Sequence, residues 1–207
     1  MRIDSLSSRP DRSGRFLIKL SNGNSLRLYR QTVETFGLFA GMELTNEEMD
    51  RLREAAGEMS AKMRSVRIVA ASNVSRRDLE ERLIRKGERP DQAKKAVEWM
   101  EELDLVDDAR TAAQLVSQCV RKGYGIGRAR QALYEKRIPK EYWDEALADY
   151  PDQREYIMNY LQSHLVAGWE QKDLKRVVDA LLRRGHNYGE IRRCLAGLDA
   201  DDFLEDA

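Results

Sequence analysis

One five-residue pattern occurs three times in this 207-residue chain at nearly constant spacing. It reads Leu83-Ile84-Arg85-Lys86-Gly87, Leu133-Tyr134-Glu135-Lys136-Arg137 and Leu181-Leu182-Arg183-Arg184-Gly185, the leucines 50 and then 48 residues apart. The agreement extends to both sides. Four residues before each Leu stand Leu79, Ala129 and Val177; ten after stand Ala93, Trp143 and Ile191. Thirteen after come Ala96, Ala146 and Cys194, and fourteen after come Val97, Leu147 and Leu195. Apolar residues at i and i+4 line one face of a helix. A period near 50 residues therefore marks one helical packing unit used three times. The expected fold is mainly α, an elongated tandem array of three three-helix modules that presents a long surface to a partner.

Composition agrees with thin modules. Charged residues make up 35% of the chain and aromatics 7%. The formal net charge is zero, which argues against a simple nucleic-acid binder. That zero hides segregation: net +6 from Lys62 to Lys95, +7 from Ala109 to Lys140 and +4 from Lys172 to Arg193. Acidic stretches separate these blocks, −6 from Ala96 to Asp108 and −5 from Glu141 to Glu155, and the last fourteen residues carry −5. Two readings fit the pattern. One is mutual solvation and ion pairing between helices, worth little per pair; the other is a basic stripe that meets a polyanion. The stripe would comprise Arg76, Arg77, Arg82 and Lys86, then Arg121, Lys122, Arg128, Arg130 and Lys136, then Lys175, Arg176, Arg183 and Arg184.

The N-terminal part differs in kind. Alternation over Phe16–Leu20 and Leu26–Tyr29, with Asn22-Gly23 between them, predicts a hairpin with positive φ angles at the turn. Arg2 to Leu6 offers a third strand. Residues 1–44 are thus expected to form a β-element and linker, followed by modules over 45–106, 107–150 and 151–207. The last module ends in an acidic tail, expected to fray from Asp199 onward. Thr45 with Glu48, and Ser75 with Asp78, predict capping boxes at two helix starts. In the first helix Met59, Met63, Val66 and Ala70 mark an apolar helical stripe. Pro90 and Pro139 are placed to open third helices.

Little in the chain points to catalysis. Asp107-Asp108 suits helix capping better than metal binding. Lys122-Gly123-Tyr124-Gly125-Ile126-Gly127-Arg128 lacks the ending of a P-loop and the preceding strand of a dinucleotide fingerprint. It reads either as a helix–helix connection or as a phosphate cradle. His164 falls on an apolar face and is expected at the core or its boundary. Neither His164 nor His186 has a ligand-spaced partner for zinc. Cys119 and Cys194 read as small core residues, and Trp143 as core by register. Trp99 and Trp169 are candidate interface anchors. No enzyme, metal or cofactor is expected, and with no secretory or membrane signal a cytoplasmic protein is.

Taken in order, Ser75-Arg76-Arg77-Asp78-Leu79, Leu83 to Gly87, Val106-Asp107-Asp108, Lys122-Gly123-Tyr124-Gly125 and Lys136-Arg137-Ile138 resemble the RecX family. The sequence departs from the family pattern at Val106 for Leu and at Arg137 for Gly. Arg110-Thr111-Ala112 also stands where an aromatic residue is usual. The resemblance implies a curved array of three-helix repeats, and a monomer that binds RecA and RecA–DNA filaments to damp strand exchange and the SOS response. Weak DNA binding would be secondary, with no membrane partner. The rival from another class is a free-standing DNA-binding regulator with helix-turn-helix-like modules.

Overall fold

Every copy of the repeated pattern is a helix stop. In the computed structural model, which describes residues 1–165 and 169–205 and side chains through Leu198, Gly87, Arg137 and Gly185 all have positive φ, at 92°, 58° and 85°. Their N–H groups donate to Ile84, Tyr134 and Leu182 carbonyls, each at 2.9 Å. The next N–H in each copy, from Glu88, Ile138 and His186, donates to the pattern leucine at 3.1, 3.0 and 3.2 Å. These paired bonds form a Schellman motif, which satisfies carbonyls that the ending helix leaves without partners. Leu83, Leu133 and Leu181 are fully buried in all three, and the residues that follow the turn, Glu88, Ile138 and His186, are buried as well. Arg137 therefore keeps the geometry of the glycine it replaces, at a left-handed cost of roughly 1–2 kcal/mol.

The chain divides into two compact units, residues 1–106 and 107–207. The first opens with three antiparallel strands in the order β1-β2-β3, over Ile3–Leu6, Arg15–Leu20 and Ser25–Tyr29. Register pairs Phe16 with Leu28 and Ile18 with Leu26. Ile3, Ile18, Leu20 and Leu28 are thereby buried against Met49 and Leu52. The hairpin uses one positive φ, at Gly23, where the Asn-Gly pair predicted more. Gly23 N–H donates to Leu20, and Leu20 N–H to Asn24, both at 2.9 Å. This is a turn closed by a single left-handed residue. A six-residue helix α1, Arg30–Thr35, follows directly on β3. It has no side-chain cap and only one and a half turns, so no sequence signal marks it.

Helix α2, Asn46–Ala71, serves two cores. Its start has the expected capping box: Glu48 N–H donates to Thr45 Oγ1 at 3.2 Å and Thr45 N–H to Glu48 Oε2 at 2.8 Å. Met49 and Leu52 pack on the sheet, while Ala61 and Ile68 pack on α3, Arg76–Arg85, and α4, Pro90–Glu102. The buried face carries Ala61, Ser65 and Ile68; the stripe Met59, Met63, Val66 and Ala70 lies beside it, half-buried to exposed. Small residues let α2 and α4 approach, and a β-carbon on Gly57 would collide with the Gln92 side chain. At α3, Ser75 accepts the Asp78 N–H at 3.1 Å. Asp78 itself turns to Arg82 at 2.9 Å, so that cap takes only half of the expected box.

The second unit contains α5, Asp108–Arg121, and α6, Ile126–Glu135, then a 3-10 turn, Lys140–Tyr142, and α7, Trp143–Leu147. It ends with α8, Arg154–His164, α9, Gln171–Arg183, and α10, Tyr188–Glu205. Asp107 caps α5 by accepting the Arg110 N–H at 2.9 Å, as expected. Pro139 precedes a 3-10 turn and a short helix where one continuous helix was predicted. Trp143 is partly buried rather than enclosed, and its indole N–H donates to the Ile138 carbonyl at 3.0 Å. Backbone helix runs on to Glu205, past the point where the acidic tail was expected to fray.

Candidate interaction surface

The thirteen candidate cations divide by environment. In the first unit Arg76 pairs with Glu101 at 3.1 Å, Arg77 with Glu81 at 3.2 Å and Arg82 with Asp78 at 2.9 Å. Only Lys86, exposed at the C-cap of α3, lacks such a carboxylate there among the described residues. In the second unit Arg128 pairs with Glu135 at 3.3 Å, and Lys136 is half-buried at a C-cap. Arg184 donates to the Tyr156 hydroxyl at 2.5 Å and lies 5.0 Å over the Tyr160 ring. By contrast Arg121, Lys122, Arg130, Lys175, Arg176 and Arg183 are exposed, with no carboxylate in ion-pair range among the described residues. An unpaired cation keeps its full charge for an incoming anion, whereas a paired one must first give up its partner. Of these candidates, the second unit thus presents most of the available positive charge, with Lys86 the exception in the first.

The glycine-rich segment supplies contacts of another kind. Gly123 closes α5 at φ 63°, with its N–H on Val120 at 2.9 Å and the Tyr124 N–H on Cys119 at 3.0 Å. Gly125 N–H donates to the Arg184 carbonyl at 2.9 Å and Gly127 N–H to Gly185 at 3.1 Å. These bonds use the N–H groups that a phosphate cradle would need. A β-carbon on Gly125 would collide with the Gly185 carbonyl, and one on Gly185 with the Arg128 backbone. The segment is therefore a backbone seam that docks the second module's loop on the third module's helix stop. Arg121, Lys122 and Arg128 flank one side of it, Arg183 and Arg184 the other. Tyr150 braces the loop by donating its hydroxyl to the Tyr124 carbonyl at 2.7 Å, and burial pushes its pKa up to about 12.

His186 sits inside this seam. Its Nε2 is 3.1 Å from the Gly123 carbonyl, its ring stacks on Tyr156 at 5.2 Å, and its Nδ1 is buried without a partner among the described residues. Burial pushes its pKa below the ordinary 6.5, opposed in part by the Gly123 carbonyl; Arg184 lowers it further and Glu190 raises it. The unfolded chain takes up the proton more readily, so stability rises with pH across this window. The contribution is complete above the ordinary value and is lost as pH falls through the depressed one. Urea unfolding of the protein is expected to show this loss as pH falls below the ordinary histidine range. His186→Gln, which keeps a donor for Gly123, should flatten it; an unchanged pH profile would show that His186 is not its source.

The remaining candidates take structural places. Cys119 and Cys194 are buried, as expected, and burial raises both thiol pKa values. His164 is exposed, contrary to expectation: it ends α8 and stacks on Tyr160 at 4.0 Å instead of turning inward. Trp99 packs partly against the first unit's helical core, under Lys62 at 5.2 Å, while Trp169 is exposed. Among the described residues no group of three or more His, Cys, Asp or Glu is arranged to hold a metal ion. No described helix is long and apolar enough to cross a membrane.

Comparison with known proteins places this arrangement. Residues 107–147 match the family model described as RecX, second three-helix domain. The chain is 33% identical over 152 residues to the regulatory protein RecX of Vibrio cholerae serotype O1, covering 70% of this chain and 100% of the relative. It is 26% identical over 152 residues to the regulatory protein RecX of Vibrio parahaemolyticus, covering 72% and 98%. A crystal structure of regulatory protein RecX superposes with a TM-score of 0.65 at 19% identity, covering 93% of this chain and 98% of that one. The crystal structure of RecX from Lactobacillus salivarius gives 0.59 at 19% identity, over 70% and 99%.

Proposed function

The chain belongs to the RecX family of regulatory proteins, and on that premise we propose that it is a cytoplasmic, non-enzymatic regulator that binds RecA and RecA–DNA filaments. Binding restrains strand exchange and with it recombinational repair and the SOS response. The observation that carries this reading is the set of exposed cations in the second unit that no described carboxylate neutralises. The zero net charge and the segregated acidic stretches make the whole molecule a poor general binder of DNA. A local positive surface on such a molecule suits an acidic patch on a protein partner, which it would meet at a rate that falls with salt.

The test is inhibition of RecA ATP hydrolysis and strand exchange by the parent protein and by the triple variant Arg121→Glu, Lys122→Glu, Arg130→Glu. All three side chains are exposed, so the variant should melt with the parent. The expected result is at least roughly a tenfold rise in the concentration needed for inhibition, about 1.4 kcal/mol or more. Binding to bare DNA should change little. A folded variant that inhibits as well as the parent would remove this face from the functional surface. Equal loss on bare DNA and on filaments would assign the contact to DNA phosphate instead.

A further inference from the structure

We propose that the groove between α8 and α9 is a binding site for an unpaired nucleotide of single-stranded nucleic acid, separate from Arg121, Lys122 and Arg130 and sharing only Arg183 with the edge of the glycine seam. Four rings form a ladder: His186 on Tyr156 at 5.2 Å, Tyr156 on Tyr160 at 6.3 Å, and Tyr160 on His164 at 4.0 Å. Arg184 lies over Tyr160 at 5.0 Å and fixes its plane. The buried end of the ladder is His186, and the exposed end is His164. The His164 Nδ1 is already engaged, 2.8 Å from the Tyr160 carbonyl and 2.8 Å from Ser163 Oγ, so the ring is held in place. A held aromatic ring at the end of a stack is a platform on which one more flat ring can be placed.

The groove beside that platform has a volume of about 430 Å³ and is lined by Tyr160, His164, Asp173, Arg176, Ala180 and Arg183, with Val177 at its base. Arg176 and Arg183 are seven residues apart on α9, two turns, so both point to the same side about 10 Å apart along the axis. Neither has an ion pair among the described residues, and the small Ala180 leaves room between them. Asp173, in the first turn of α9, is held by its Oδ2, which accepts the Glu170 N–H at 3.2 Å. Its carboxylate suits an amino group on a base edge rather than a phosphate. A platform for a base, two cations for its flanking phosphates and an acceptor for its edge together match a nucleotide in a single strand. A duplex fits less well, because its base faces are covered by their neighbours.

This inference is independent of RecA, and its test uses the full-length protein with no recombinase present. The probes are a fluorescent oligothymidylate, a hairpin duplex of equal charge, and a strand carrying 2-aminopurine, whose emission falls when it stacks. The single strand should bind at least roughly fivefold more tightly than the duplex, and 2-aminopurine should be quenched. His164→Ala should weaken the strand by roughly tenfold and abolish quenching, while His164→Phe should restore both, since it keeps the ring and drops the nitrogens. Arg176→Glu with Arg183→Glu should weaken binding by at least tenfold and lower its salt dependence. These side chains are exposed, so thermal melting should be unchanged. Equal binding of strand and duplex, an unquenched 2-aminopurine, or a His164→Ala variant that binds like the parent would each overturn the proposal.

Discussion

Leu133→Ala should destabilise the second unit by about 2–5 kcal/mol, and Leu181→Ala there and Leu83→Ala in the first unit by a similar amount. All three leucines are fully buried. Truncation removes the transfer free energy of the side chain and leaves a cavity that the three helices around it cannot fill by collapse. Each leucine also stands three residues before its helix's C-cap, where its carbonyl receives the N–H that follows the left-handed turn. The alanine variants keep that bond, so the loss measures packing rather than the stop. Against a typical total of roughly 5–15 kcal/mol, a loss of this size is a large fraction of the stability. Urea unfolding followed by circular dichroism measures it. The adjacent exposed residue is the internal comparison: Tyr134 is 64% accessible, and Tyr134→Ala should cost less than about 0.5 kcal/mol. Equal costs at 133 and 134 would contradict the repeat register.

Gly125→Ala should cost roughly 3–5 kcal/mol and loosen the third module from the second. The backbone angles at Gly125, φ −75° and ψ 163°, suit any residue, so the penalty is not conformational. It arises because the new methyl would meet the Gly185 carbonyl and the His186 N–H, which are backbone atoms and cannot rotate aside. Relief requires the two segments to separate. That stretches the Gly125–Arg184 and Gly127–Gly185 hydrogen bonds and the Gly123–His186 contact together. Overpacking of roughly 1–3 kcal/mol and two weakened bonds of roughly 1 kcal/mol each give the estimate. Hydrogen exchange should report faster amide exchange at position 125, Gly127 and His186 in the variant, with Leu83 and its neighbours unaffected. A variant as stable as the parent would show that the seam is not tightly packed.

Much of the helical framework was legible because its signals are local. The Leu83, Leu133 and Leu181 register predicted three equivalent buried sites, and all three are buried. Thr45 and Asp107 were readable as caps because a cap is settled within four residues. The chain's resemblance to the RecX family was legible for the same reason: its signature segments are short and keep their order. Helix α1 was not legible, since six residues without a cap leave no period to detect. His164, expected at the core or its boundary, is exposed, while His186, for which the sequence offered no place, lies buried in the seam. The apolar pattern of one helix does not say which neighbouring backbone will arrive to cover a ring.

The charge pattern shows the division most clearly. The sequence alone determined where the helices stop, which leucines are buried and that basic residues recur with the repeat, because each depends on hydrogen bonds and side-chain spacing within a few turns. Only the tertiary structure decided which cations stay available. Arg76 meets Glu101 from another helix, while Arg121, Lys122 and Arg130 meet no described carboxylate. It also decided that the glycines of the Lys-Gly-Tyr-Gly segment serve a docking contact, since Gly123 and His186 are 63 residues apart when they meet. Pairing and close approach of that kind depend on how distant helices pack, and no local period encodes the distance between them.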